Sequence, residues 1–341
     1  MNTSTQRHRI SPVIGAAKGL LTKNSAIPLL ICIIMVLTMS FTSKVFWSLD
    51  NMDSLQTSIA PIAIVSLGMV LLLICGVFDL SVGAIMVLSG IVCAKLFEFK
   101  FQTPVVIAVG LLVGLAVGLL NGTLVGILKI NPLIATIGTM NMAQGIAMIV
   151  FAASHKGQAE YQIAISLPQD FIHVGTGRFL GLYYMFWVML ILLVLVFFLL
   201  RHSPTGRKMF LTGDNPEAAR MMGFNTPRIT LLTYGFVGLL CAVAGILSVA
   251  RFEQANRYLG EGVNITAIIS CILGGASFAG GRGSAVGTVI GVLLMTLITN
   301  LFNLLEIPSS WQSVVVGAIL IAVISIDGYL ILKKQRELGK I

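Results

Sequence analysis

PVVIAVGLLVGLAVGLLNGTLVGIL, residues 104–128, runs 25 positions without a charged side chain; its only polar side chains are Asn121 and Thr123. A helix rises about 1.5 Å per residue, so a stretch of this length outreaches the roughly 30 Å hydrocarbon layer of a bilayer. A helix at a protein surface in water would show a charged face opposite an apolar stripe. This one has no such face, and it reads as a membrane span. Working outward, clear spans follow the same logic at 27–41, 58–74, 134–153, 182–200, 229–250, 286–305 and 313–332. Two more segments, 82–96 and 265–273, are short and irregular. The fold class expected is an all-α polytopic membrane protein of about ten transmembrane helices with broken or re-entrant segments.

Composition agrees. Of 341 residues, 57% are apolar and 10% charged, and mean hydropathy is +0.97. Soluble domains carry about 25% charged residues, so this chain cannot coat a water-facing globule. The net charge of +9 does not point to nucleic acid as a partner, because the basic residues sit in short connectors and not on one soluble face. Fifteen of the 22 Lys and Arg fall on the side of the termini, against seven on the other, which by the positive-inside rule makes both termini cytoplasmic. The organisation expected is a cytoplasmic N-terminal segment at 1–26, a transmembrane domain at 27–332 and a cytoplasmic tail at 333–341. Residues 10–21 are expected to form a short helix at the membrane surface. Two connectors are long: an outer loop at 154–181 and a cytoplasmic loop at 201–228.

Catalytic patterns are missing. The chain has no G-x-x-x-x-G-K-[ST] to cradle a nucleotide, no G-x-S-x-G turn, and no His paired with another ligand at metal spacing. The cysteines Cys32, Cys75, Cys93, Cys241 and Cys271 all lie in apolar stretches without C-x-x-C spacing, which reads as packing. The ionisable residues inside apolar segments are Asp79 and Asp327, without Lys, Arg, His or Glu beside them in the sequence. A proton relay is therefore poorly supplied. A self-powered secondary transporter or channel, and a membrane enzyme, remain as alternatives. Asp79, followed by Leu80 and Ser81 at the start of a span, reads either as a helix N-cap or as a residue on a solute path.

The two irregular segments are interrupted at 76–83 and 274–283. Lipid-facing backbone must be hydrogen-bonded, so broken helices survive only within a bundle or beside a wet cavity, and such pairs mark transport pathways. Gly76, Gly83, Gly274, Gly275, Gly280, Gly281 and Gly283 are the candidate hinges. By contrast, Gly110, Gly114 and Gly118 form a G-x-x-x-G-x-x-x-G face suited to close helix packing. In the cytoplasmic connector, Asp214 or Asn215 can cap a helix, Pro216 suits its first position, Glu217 favours its first turn, and Gly223 ends it. A two-turn helix results, with Met221, Met222 and Phe224 exposed nearby. It either inserts into a groove on a partner or lies on the membrane.

These residues resemble a known family. Glu217, Ala218 and Ala219 followed by Gly223 match the EAA-x-x-x-G coupling loop of ATP-binding-cassette importer permeases. GVFDLSVGA at 76–84 is similar to that family's GGIDLSVGS, INPLIATIGTM at 130–140 to IPPFIATLGTM, LTGDNPEAARMMGFN at 211–225 to the GGNPEAARLSGIN block, and LGGASFAGGRGSAVGT at 273–288 to LGGTSLSGGRGSVVGT. The blocks occur in the right order, and the likeness covers the chain from about residue 59 onward. They point to the monosaccharide branch: ribose, galactose, xylose, arabinose and autoinducer-2 permeases. The chain departs from the pattern at Val77 and Phe78, and at 264–266, where relatives carry an acidic ELDAI.

The resemblance implies a multi-pass subunit of the bacterial inner membrane, dimeric with a second permease copy or paralogue and surrounded by lipid. A cytoplasmic ATPase would dock on 211–225, with Asp214, Asn215, Pro216, Glu217, Ala218, Ala219, Arg220 and Gly223 as coupling residues. A periplasmic sugar-binding protein would deliver solute. ATP and Mg would sit on the ATPase, and no cofactor on this chain. The candidates for a hydroxyl- and amide-lined path are Asp79, Ser81, Asn131, Thr136, Thr139, Asn141 and Ser277.

Overall fold

The computed structural model describes residues 26–152, 162–163 and 167–337. The surface helix expected at 10–21, the rest of the N-terminal segment and the last four residues of the tail lie outside the described residues. Each of the apolar segments read from the sequence becomes a helix: α1 (Ala26–Thr42), α2 (Leu49–Ile74), α3 (Val82–Glu98), α4 (Thr103–Gly122, continued by a π turn over Thr123–Ile127), α5 (Pro132–Ala152), α7 (Tyr184–His202), α10 (Thr226–Phe252), α11 (Val263–Leu273), α12 (Ala285–Leu304) and α13 (Ser309–Glu337). Three helices lie in the connectors: α6 (Gln169–Thr176), α8 (Pro204–Asp214) and α9 (Pro216–Met221). By length and composition seven helices among the described residues can cross a membrane, namely α2, α4, α5, α7, α10, α12 and α13. The protein is therefore all-α and polytopic.

Burial separates core from periphery. Helices apolar on every side belong inside, and α2 is 89% buried over its most apolar stretch and α10 67%, against 0% for α13. Helices α4 and α10 meet backbone to backbone. A Cβ on Gly114 would stand 2.4 Å from Gly238 O, and one on Gly118 2.4 Å from Tyr234 O. The G-x-x-x-G-x-x-x-G face is thus a packing face. All five cysteines are buried and unpaired, as the packing reading expects.

Where helices stop, one local device recurs. At the end of α2, Gly76 N donates to Leu73 O (2.9 Å) and Val77 N to Leu72 O (3.1 Å), with Gly76 at φ +77°. After α11, Gly275 N donates to Ile272 O (2.9 Å) and Ala276 N to Cys271 O (2.9 Å), with Gly275 at φ +95°. This is the Schellman termination, which needs a left-handed residue just past the helix.

Boundaries read from the sequence shift: α2 begins at Leu49, nine residues before the span read from 58, and α13 covers Ser309–Glu337 where 313–332 was read. Residues 182–183, expected inside a span, belong to a hairpin: β2 (Arg178–Phe179) pairs antiparallel with β3 (Leu182–Tyr183), Arg178 opposite Tyr183. Both turn residues have positive φ, Leu180 +52° and Gly181 +80°, as the favoured tight hairpin turn requires. A second short pair joins β1 (Gln162–Ile163) to β4 (Ala255–Asn256). In the cytoplasmic connector an unforeseen helix, α8, precedes the expected one. Ser203 caps it by accepting from Gly206 N at 2.9 Å, Pro204 opens it, and it buries Gly206, Met209, Thr212 and Gly213.

Candidate functional site

The first break leaves residues 77–81 without helical bonds inside the bundle, and side chains from four helices hold it. Asp79, fully buried, accepts from Ser81 N (2.7 Å) and Ser81 Oγ (2.6 Å) on one oxygen and from Asn121 Nδ2 (3.0 Å) on the other. Asn121 Nδ2 also donates to Ser81 Oγ (2.8 Å). Thr136 Oγ1 accepts from Leu80 N (3.1 Å), Asn264 Nδ2 donates to Leu80 O (3.2 Å), and Tyr234 Oη donates to Phe78 O (2.6 Å). The N-cap reading of Asp79 is corrected: α3 begins at Val82 and its cap position is Ser81, which makes no side-chain cap bond. The carboxylate instead bridges Ser81, the cap residue itself, and Asn121 on α4.

The second break, 274–284, folds on itself and hangs on one carboxylate. Ser277 Oγ donates to Asp327 (3.0 and 3.1 Å), and Phe278 N donates to it at 3.1 Å. Arg282 stands 3.8 Å from Asp327, so this aspartate has a basic partner that sequence proximity did not reveal. Ser277 N donates to Arg282 O at 3.3 Å and closes the loop. Gly280 (φ +85°) and Gly281 (φ +67°) make its turn. Of the remaining candidate hinges, Gly83, Gly274 and Gly283 have ordinary φ and serve as close contacts, Gly83 on Gly260, Gly274 on Gly287 and Gly283 on Ile74.

The two breaks meet each other and the cytoplasmic connector. Phe78 and Phe278 stack edge to face at 5.9 Å, and Gly281 N donates to Ile74 O at 3.0 Å. Between them sits Gly213, in the last turn of α8. A Cβ there would fall 1.8 Å from Ile74 O and 2.8 Å from Gly281 N, so no other residue fits this backbone. Asp214 lies against Gly281, and Gly76 faces Gly213 Cα at 3.7 Å from its own hypothetical Cβ. Nothing in the linear sequence marks Gly213; only the fold brings the three segments together.

Just beyond this contact is α9, built as the sequence dictates. Asn215 Oδ1 accepts from Ala218 N (2.9 Å), and Pro216 and Glu217 open the helix. Ala219 is buried, and Arg220 Nε donates to Thr226 Oγ1 at 3.2 Å. Gly223, at φ +81°, ends it through Gly223 N to Arg220 O (2.9 Å) and Phe224 N to Ala219 O (3.1 Å). Met221 is 89% exposed and Met222 54%. Phe224, expected to be exposed, is half-buried with Lys208 Nζ 5.8 Å from its ring centre. Lys129, in the turn after α4, has its ammonium held below the usual lysine range by burial and by the nearby Arg220 guanidinium.

A cleft of about 510 Å³ opens between α3, α5 and the 258–264 segment. Of the path candidates only Asn141 lines it. Asp79, Ser81 and Thr136 form the buried latch behind it, while Thr139 donates to Thr136 O at 3.2 Å. Asn131 is exposed at the start of α5, accepting from Leu133 N at 2.9 Å, and Ser277 is in the Asp327 cluster. Gln144, Tyr258, Glu261 and Asn264 are the polar lining residues that sequence reasoning passed over. Gln144 follows Asn141 by three positions on a helix and shares its face, a signal that was available. Glu261 and Asn264 reach the cleft only through the fold.

Residues 51–324 match the family described as "Branched-chain amino acid transport system / permease component". The chain belongs to this permease family. It is similar to the ribose import permease protein RbsC of Escherichia coli K12, 32% identical over 316 residues, covering 93% of this chain and 95% of the relative. It resembles the same-named protein of Haemophilus influenzae at 30% over 303 residues (89% and 92%), and the autoinducer 2 import system permease protein LsrC of E. coli K12 / DH10B at 28% over 318 residues (93% and 91%). No solved structure matches. The chain is a permease subunit of an importer in the bacterial inner membrane and not an enzyme; the ATPase of these importers is a separate subunit, and the family implies a substrate-binding protein as a further partner.

Proposed function

We propose that this chain passes a monosaccharide, or a solute of like size and polarity, into the cell, driven by a separate ATPase. Near-full-length relatives named for ribose and autoinducer 2 support that substrate class. The observation that carries the mechanism is Gly213, wedged against the backbone of both breaks one turn before α9. The ATPase grips Met221 and Met222 together with Asp214, Asn215, Pro216, Glu217, Ala218, Arg220 and Gly223, while the buried Ala219 seats the helix on its own subunit, and ATP and Mg act on the ATPase. Its closure displaces α8 and α9, and the wedge carries the displacement into the loops where helices are interrupted, which changes access to the cleft.

Ten segments cross the membrane, including the short α1, α3 and α11, with both termini cytoplasmic. The excess of Lys and Arg on the side of the termini, fifteen against seven, supports this orientation. The periplasmic binding protein meets the Arg178 end. A second copy covers α5, whose exposed face carries Asn141 and Gln144 beside Ile134, Ile137 and Ile149. Lipid would leave those amides without partners, whereas a copy across the cleft closes a polar path.

The test is solute uptake into proteoliposomes. With its ATPase and binding protein and with ATP the chain imports ribose, and without them it does not. Glu217→Ala and Gly223→Ala, the latter forced into a left-handed backbone, insert normally but lose uptake per ATP hydrolysed. Uptake by the chain alone would establish the secondary-transporter alternative instead.

A further inference from the structure

A second cleft, of about 290 Å³, lies wholly within one chain, bounded by α2, α3, α10, α11 and α12. Its lining is dense in hydroxyls: Thr57, Ser58, Ser248, Thr266, Thr296 and Thr299. Met86, Met295 and Phe252 supply apolar surface between them.

The direction of the hydroxyl protons decides what such a cleft holds. Thr57 Oγ1 donates to Asp53 O (2.9 Å), Ser248 Oγ to Ala244 O (2.8 Å) and Thr299 Oγ1 to Met295 O (3.2 Å). A hydroxyl has one proton and two lone pairs, so these oxygens meet a ligand as acceptors. Thr296 Oγ1, on the floor, is buried with no partner at all. A buried polar atom left so is costly unless something bonds to it. The lone carboxylate, Glu261, is exposed at the rim and borders the larger cleft too.

An anion finds no cationic side chain in this lining to offset its desolvation. An organic cation would surrender its hydration to neutral oxygens and thioethers, with a single, solvent-exposed carboxylate to offset the loss, which is unfavourable. A neutral polyol fits on both counts. Its hydroxyl protons satisfy the acceptors, and its C–H faces lie on Met86, Met295 and Phe252. The volume is at the small end of ligand sites, which begin near about 300 Å³, and so suits a single sugar ring.

We infer that this cleft binds a neutral, monosaccharide-sized polyol inside one subunit, as a holding site joined through Glu261 to the cleft beside α5. The inference rests on the importer reading for the identity of the solute, and adds a site that one copy builds unaided.

Ser58→Cys in the full chain, placed in nanodiscs without other subunits, provides the test. The native cysteines are buried, so this rim thiol is the one a membrane-impermeant maleimide reaches. Ribose at about ten times its Kd slows labelling about tenfold, because only the empty fraction reacts. Thr296→Val with Ser248→Ala abolishes the protection and leaves the unprotected rate unchanged. Thr299→Val weakens it without touching the floor. A thiol that never labels, labelling indifferent to ribose, equal slowing by choline chloride, or protection that survives in the floor variant would each overturn the inference. ATP-driven ribose uptake is measured on the same chain with its ATPase and binding protein. Intact uptake without protection removes only the holding site, whereas absent uptake strikes the importer reading.

Discussion

The break after α2 and the break after α11 begin alike and end differently. Each helix stops on a left-handed glycine with the same pair of backbone bonds, at Gly76 and Gly275. Beyond that point, 77–81 is tied by Asn121, Thr136, Tyr234 and Asn264, each from a different helix. The loop at 276–283 has its own turn and one side-chain hydrogen-bond anchor, Asp327, on a helix that is otherwise outside the core, together with the Gly281 N to Ile74 O bond and the Phe78–Phe278 ring contact. Two interruptions with equivalent local chemistry are thus held by different numbers of side-chain hydrogen bonds from other helices. In the proposed mechanism the break with more of these bonds shapes the path, and the one with fewer takes up the displacement that Gly213 delivers.

Substitutions can break or sharpen this contrast. Gly213→Ala strikes both sides, since its Cβ would meet backbone at 1.8 Å; overpacking of this kind costs about 3 kcal/mol, and thermal unfolding in detergent should register it as the largest loss. Asn121→Leu removes the Nδ2 donor from a buried carboxylate and costs about 2 kcal/mol, the worth of a hydrogen bond to a charged group. Thr136→Val takes one acceptor from Leu80 N, for about 1 kcal/mol. Asp327→Asn disturbs a pair whose arginine is 47% exposed; exposed pairs are worth under about 1 kcal/mol, so the unfolding temperature should barely move while uptake per ATP falls. Equal stability losses at Asn121 and Asp327 would erase the distinction between the breaks.

Much of this was legible in the sequence because its signals are local. Asn215, Pro216 and Gly223 specify α9 within a few residues of one another, and Gly76 and Gly275 stop their helices by backbone conformation alone. Every apolar run read from the sequence became a helix, and seven of these helices are long and apolar enough to cross a membrane. The hairpin at 178–183 was hidden because Leu182 and Tyr183 are as apolar as the helix they precede, and α8 because an amphipathic connector helix lacks the apolar run that marked the others. Of the two readings of Asp79, the cap reading fell two residues short, because the carboxylate holds Ser81, the actual cap position, and also Asn121 of another helix, which its neighbours in sequence do not announce. The Gly213 wedge, the Arg282–Asp327 pair and the Glu261 and Asn264 cleft wall join residues far apart along the chain, where no periodicity connects them.

The most direct measurement is the number of ribose molecules imported per ATP hydrolysed, compared between the native chain and Gly213→Ala in proteoliposomes that contain the ATPase and binding protein. A wedge that transmits the ATPase stroke predicts continued hydrolysis with uptake per ATP reduced to near zero in the variant. An unchanged ratio, with the variant chain folded and assembled, would contradict it.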